Sequence, residues 1–132
     1  MLSRQEFFET TIDRLIEQRT RAMLESGVCA YRVTSIKYER LVVKKCAIGH
    51  HIPDDEYTNA MEGMTIEHMS TGRIGDVYVP SIILYVAHFG LPFMEALQRL
   101  HDAATEEFIG PLFTRELACF AETWNLQGYD SK

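Results

Sequence analysis

Cys46-Ala47-Ile48-Gly49-His50-His51-Ile52-Pro53-Asp54-Asp55-Glu56 is where the chain changes its periodicity. Ahead of it, Val28, Tyr31 and Val33, then Leu41, Val42 and Val43, are β-branched and aromatic runs that predict two strands, the second leading into Cys46 and Ile48. Too few residues separate the runs for a crossover, so an antiparallel hairpin is expected. Residues 34–40 hold no Gly, Asn or Pro; no tight primed turn is signalled, and a longer loop is expected. Behind the stretch, Pro53 with Asp54, Asp55 and Glu56 reads as a helix start, with carboxylates at the positive end of the backbone dipole. That predicts a short helix over 53–61, stopped by Gly63.

Working outward, Ser3 and Glu6 have the spacing of a capping box. Phe8, Ile12, Leu15, Ile16, Ala22 and Met23 continue an apolar stripe that predicts a helix over 4–26, ended by Gly27. Its flank of Arg4, Arg14, Glu17, Arg21 and Glu25 reads as a solvated face of opposite charges. Residues 64–79 carry weak signals and read as a loosely ordered stretch that could act as a lid. Pro80, Pro92 and Pro111 then open helices over about 80–89, 92–108 and 111–127, with Gly90, Gly110 and Gly128 at the breaks. The first of these is apolar on nearly every face, so it is expected at the centre of the core; residues 128–132 are expected to fray. The fold class is α+β: an N-terminal helix, an antiparallel β-hairpin and a C-terminal helical layer of about three to four helices, in one domain over 1–132.

The chain has 132 residues, 46% of them apolar, and a formal net charge of -6. This acidic balance argues against nucleic acid and anionic membrane as partners. Within residues 28–45, however, Arg32, Lys37, Arg40, Lys44 and Lys45 face the single acid Glu39, so the charge is lopsided. An odd set of three cysteines, with no leader pattern ahead of them, predicts free thiols in a reducing cytoplasm. The longest apolar run, 82–87, is far short of the ~20 residues of a membrane span.

Three constellations could carry chemistry. The sharpest is a Cys46 nucleophile with His101 as its base and a carboxylate, Asp54 or Asp55, to orient the imidazole. Asp102 is not expected in that role, because adjacent helical side chains diverge by about 100 degrees. The competing structural account makes Cys46 and Ile48 same-face core residues, with His101 packed nearby. A metal set of Cys46, His50, His51 and His68 lacks a Cys-x-x-Cys pair, so no metal is expected, and no cofactor motif is found. His50 and His51 otherwise read as a solvated loop. The basic stretch, with Tyr31 and Tyr38 interleaved, could hold an anion or an acidic partner, or be a solvated face.

Cys46-Ala47-Ile48-Gly49, Ile52-Pro53-Asp54-Asp55, Tyr57, Glu62-Gly63 and Leu97-Gln98-Arg99-Leu100-His101-Asp102 resemble the pattern of small uncharacterised proteins of bacteriophages and bacterial mobile elements. A Gly-x-Cys-x-Tyr-Arg segment there is matched by Gly27, Cys29, Tyr31 and Arg32. The resemblance covers residues 4 to about 105 and implies an origin without an established activity. The expectation is a small cytoplasmic interaction protein of that type. It would bind an acidic partner protein or small anionic ligand through Arg32, Lys37, Arg40, Lys44 and Lys45. The alternatives are a hydrolase or transferase using Cys46, His101 and Asp54, and a binder of nucleotides or another small anion beside Pro53.

Overall fold

The computed structural model describes residues 2–23, 29–37, 39–104, 108 and 110–129. Helix α1 spans Arg4–Gln18; strands β1 (Arg32–Lys37) and β2 (Arg40–Lys45) form an antiparallel hairpin; α2 (Ile66–Ser70), α3 (Pro80–Phe89), α4 (Leu91–Asp102) and α5 (Pro111–Thr123) form the C-terminal helical region. This is the expected α+β order. The positions Gly27, Val28 and Tyr38, the helix expected at 24–26 and 105–107 and the fraying expected at 130–132 lie outside the described residues.

Both bonds of the Ser3–Glu6 capping box are present. The helix stops earlier than its apolar stripe suggests. Arg19 takes φ +78° while its N–H still bonds Leu15 O, and residues 19–23 leave the helix. The arginines expected on a solvated flank instead reach distant backbone. Arg4 donates to Phe89 O (2.6 Å) and Arg21 to Asp102 O (2.8 Å), the last residues of α3 and α4, and Arg14 donates to His50 O (2.6 Å). Helix C-termini leave carbonyls without intrahelical partners and carry the negative end of the dipole, so guanidinium groups suit them.

The central helix is α4, with Phe93, Met94, Leu97, Leu100 and His101 buried. Helix α3, expected at the centre, buries only Ile82 and Phe89, and its Leu84 is 54% exposed. All-round hydropathy says what a helix would tolerate, not which elements cover it. Aromatic rings bind the layers: Phe7 lies 4.6 Å from Phe89, Phe8 stacks on Phe120 at 5.3 Å, and Phe93 meets Trp124 edge-on at 5.3 Å.

Residues 53–61 are not the expected helix. They form a turn and a 3-10 turn at Asn59–Met61, and Glu56 caps a different helix, accepting Ser81 N–H (2.8 Å) and Ser81 Oγ–H (2.7 Å) at the start of α3. Nor is 64–79 a loose lid. Thr65 caps α2, Ile74 and Val77 exchange two 2.9 Å backbone bonds, and Ile66, Met69, Val77 and Val79 are buried. Among the described residues, no single helix is long and apolar enough to cross a membrane.

Candidate functional site

Cys46 follows β2 directly and is fully buried, with Ala47, Ile48 and Gly49. The chain turns here with Gly49 against the residue that precedes β1: a Cβ on Gly49 would stand 2.0 Å from Tyr31 O. Gly49 N–H donates to Cys46 Sγ (3.2 Å), and Cys46 N–H donates to Tyr31 O (3.2 Å). Burial pushes the Cys46 thiol up to about 12, against opposing hydrogen bonds from Gly49 and Gln98. Gln98 Oε1 also accepts Ile48 N–H (3.1 Å), and its amide donates to Asp102 Oδ1 (3.2 Å).

His101 is fully buried, and both its ring nitrogens are occupied. Nε2 accepts Ala22 N–H (3.3 Å), which leaves the proton on Nδ1, and Nδ1–H donates to Asp102 Oδ1 (2.8 Å). The expectation about Asp102 was therefore wrong. At the last residue of α4 the carboxylate reaches back to its neighbour's imidazole despite their diverging Cα–Cβ directions. Asp54, an expected orienter, has an 85% exposed side chain and sits on Arg32 and Lys45. Among the described residues no hydrogen bond joins Cys46 to His101, and burial favours the protonated thiol, so Cys46, His101 and Asp54 are not brought together as nucleophile, base and orienter. The burial of Cys46 and Ile48 agrees with the structural account, though β2 ends at Lys45 and they lie in the turn beyond the sheet.

The sequence pointed to no role for Cys29 beyond the resemblance. Its sulfur lies with donor atoms of His101 and Asp102, all within 4.8 Å of one another. Such a trio has zinc-ligand chemistry, but the Ala22 bond to Nε2 keeps the proton on Nδ1, the nitrogen facing Asp102. Burial and the Asp102 carboxylate raise the Cys29 thiol. The cluster acts as a hydrogen-bonded clasp between the start of the hairpin segment and the end of α4.

His50 and His51 are not a solvated loop. They form a 3-10 turn in which His51 stacks on Phe7 at 3.8 Å, with Nε2 2.6 Å from Thr11 Oγ1. Burial first, then the Arg14 charge, pushes His51 down to about 3; burial and Lys45 push His50 down to about 4. His50 Nε2 is buried without a hydrogen-bond partner.

Side chains complete both edges of the hairpin at its root. At the start of β1, Glu62 accepts Arg32 N–H (3.2 Å) together with N–H of the preceding Tyr31 (2.8 Å) and Tyr57 O–H (2.7 Å). On β2, Gln18 accepts Lys45 N–H (2.7 Å) and donates to Lys45 O (2.9 Å), filling the place of a third strand's peptide group. Neither role was visible beforehand, since Gln18 and Glu62 are distant in sequence from the strands they serve.

Beyond this root the hairpin leaves the core. The ladder pairs Arg32 with Lys45, Thr34 with Val43 and Ile36 with Leu41 on one face, and Val33 with Lys44, Ser35 with Val42 and Lys37 with Arg40 on the other. The five basic residues are thus divided, Arg32 and Lys45 on one side and Lys37, Arg40 and Lys44 on the other. Lys37 and Arg40 are adjacent, exposed partners, and Lys44 Nζ meets Thr20 Oγ1. The connection is tight: Lys37 pairs with Arg40, and Glu39 takes φ +61° without a glycine. A groove of about 660 Å³ runs between α1 and this arm, lined by Arg14, Gln18, Arg32, Val43, Lys45 and His50 among others. Arg32 lies 4.4 Å over the Tyr57 ring and 2.8 Å from Asp54 Oδ1, yet its Nε is buried and makes no hydrogen bond. Lys45 stands 4.0 Å from the same Asp54 oxygen; burial and then Arg32 lower its pKa. No family model, curated protein or solved structure matches the chain.

Proposed function

We propose that the chain is a small cytoplasmic interaction protein, of the phage and mobile-element kind its motifs resemble, and that its hairpin arm holds an acidic partner protein. One observation carries this reading. Cys46 and His101 are buried and hydrogen-bonded to Gly49, Ala22 and Asp102, whereas the arm puts basic and apolar side chains into solvent, Ile36 at 78% and Leu41 at 70% exposure. Basic charge on an otherwise acidic molecule orients an encounter with an acidic surface. Lys37→Glu combined with Arg40→Glu leaves the packed root alone and should remove partner capture that weakens with added salt. The test is capture from a cell extract by wild type and the double variant at low and high salt. Identical profiles in all four samples would defeat the proposal.

The buried, unpaired Arg32 Nε favours one second reading, a small anion held in the groove by Arg32, Lys45 and Arg14 in exchange for the exposed Asp54 carboxylate. Titration with pyrophosphate should then shift the Arg32 and Lys45 resonances in wild type and leave the Lys45 resonances of Arg32→Gln in place. No shift in wild type removes this reading.

A further inference from the structure

We infer that the free edge of β2, from Arg40 to Val43, is the docking site, and that it takes an extended acidic segment of the partner as a third strand, with acidic and apolar side chains alternating. The inference rests on the reading above and narrows it to one edge and one kind of segment.

The ladder sets which backbone groups are available. In an antiparallel pair, opposed residues alternate between exchanging hydrogen bonds and pointing their N–H and C=O groups outward. Lys45 points outward, because Gln18 bonds both its N–H and its C=O. Two-residue periodicity makes Val43 and Leu41 the next outward residues, and their backbone groups have no partner among the described residues. The Gln18 amide therefore stands where the incoming strand would continue.

Side-chain chemistry sets the sequence of the guest. Along β2, Leu41 and Val43 lie on one face, which ends at Lys45, and Arg40 and Lys44 lie on the other, with Val42 between them. A strand beside them meets the apolar pair Leu41 and Val43 on one side and the cations flanking Val42 on the other, which calls for apolar and acidic residues in alternation. Leu41, the paired Ile36 and Val43 (43% exposed) are apolar surface with no cover. A two-stranded hairpin with open edges is marginal alone, and a third strand would complete it.

Charge selects this edge over the other. The β1 edge is completed by the Glu62 carboxylate, which would repel an acidic guest, and the β2 edge by the neutral Gln18 amide. Asp54 lies between Arg32 and Lys45 and does not separate the edges; the groove beside β2 sets Arg14, Lys44 and Lys45 against Glu17 and Asp54, a cationic excess. The same charge disfavours edge-to-edge pairing of two copies, because the arm would meet its own basic residues.

A random dodecapeptide library is the probe. Enriched peptides should alternate Asp or Glu with Leu, Ile, Val or Phe. Val43→Pro deletes an outward N–H and leaves the β1–β2 ladder intact, so it should weaken the best peptide tenfold or more; Thr34→Pro, the equivalent change on the β1 edge, should not. Ile36→Thr with Leu41→Thr keeps β-propensity, removes the apolar cover and should also weaken binding tenfold. Amide spectra of each variant check that the hairpin persists. Acidic peptides without alternation, bound equally by Val43→Pro, would overturn the edge site and leave the basic-arm reading standing. Enrichment without acidic residues would overturn both. A dimer of the protein that dissociates on Val43→Pro would overturn the acidic guest in favour of a second copy.

Discussion

The turn around Gly49 and the outer hairpin are neighbours along the chain with opposite character. In the turn, side chains with reactive groups are spent on one another: Cys46 on Gly49, Gln98 on Ile48, His101 on Asp102 and Ala22. In the arm, side chains of ordinary type, Ile36, Leu41, Val43 and Arg40, are exposed, and the register organises them into distinct faces. Residue type alone is thus a poor guide to function. A buried thiol and imidazole need partners, and here the fold itself supplies them.

Substitutions should separate the two regions sharply. Gly49→Ala is expected to cost about 3 kcal/mol or more, because the methyl group would overlap a backbone carbonyl that cannot move without shifting β1. Glu62→Ala strands two backbone donors and the Tyr57 hydroxyl, and should cost about 2 kcal/mol. Ile36→Thr with Leu41→Thr should stay within about 0.5 kcal/mol of wild type, since these side chains are already in water. Urea unfolding of the three variants checks the ranking, and an arm variant as damaging as Gly49→Ala would erase the distinction.

An intermediate effect is expected with acid. Burial lowers His51 to about 3, whereas an unfolded histidine titrates near 6.5. Below pH 6.5 the unfolded chain therefore takes up a proton that the folded chain refuses, and stability falls as pH falls toward 3. By pH 5.5, above most carboxylate titration, His51 alone should account for about 1.4 kcal/mol of loss relative to pH 7.5. Unfolding midpoints of wild type and His51→Gln at the two pH values test this; equal pH dependence would contradict it. The smallest expected effect lies at the arm's tip. Glu39 sits at φ +61°, so Glu39→Gly should firm the hairpin by about 0.5–1 kcal/mol, read as slower amide exchange in β1 and β2.

What could be foreseen divides along the same line. The Ser3–Glu6 box, the proline-led starts of α3, α4 and α5 and the two strands depend on near neighbours, and their signals lie in the local sequence. Gln18 on Lys45, Arg4 on Phe89 and Glu56 on Ser81 pair residues 25 or more positions apart, and no local pattern announces them. The same limit misplaced α3, whose apolar outer side shows only once the packing is known, and assigned the five basic residues to one face when the pleat divides them. It also hid the His101–Asp102 bond, which needs the end of a helix as well as the two residue types.

Site-resolved alkylation of the native protein tests the central claim most directly. Cys119 is exposed and should be alkylated by iodoacetamide in the folded protein, while Cys46, buried with its pKa raised to about 12, should react only as fast as the protein unfolds, at a rate that climbs with added urea. Alkylation of Cys46 within minutes at pH 7, at a rate indifferent to urea, would show an accessible thiolate and contradict a turn built for structure.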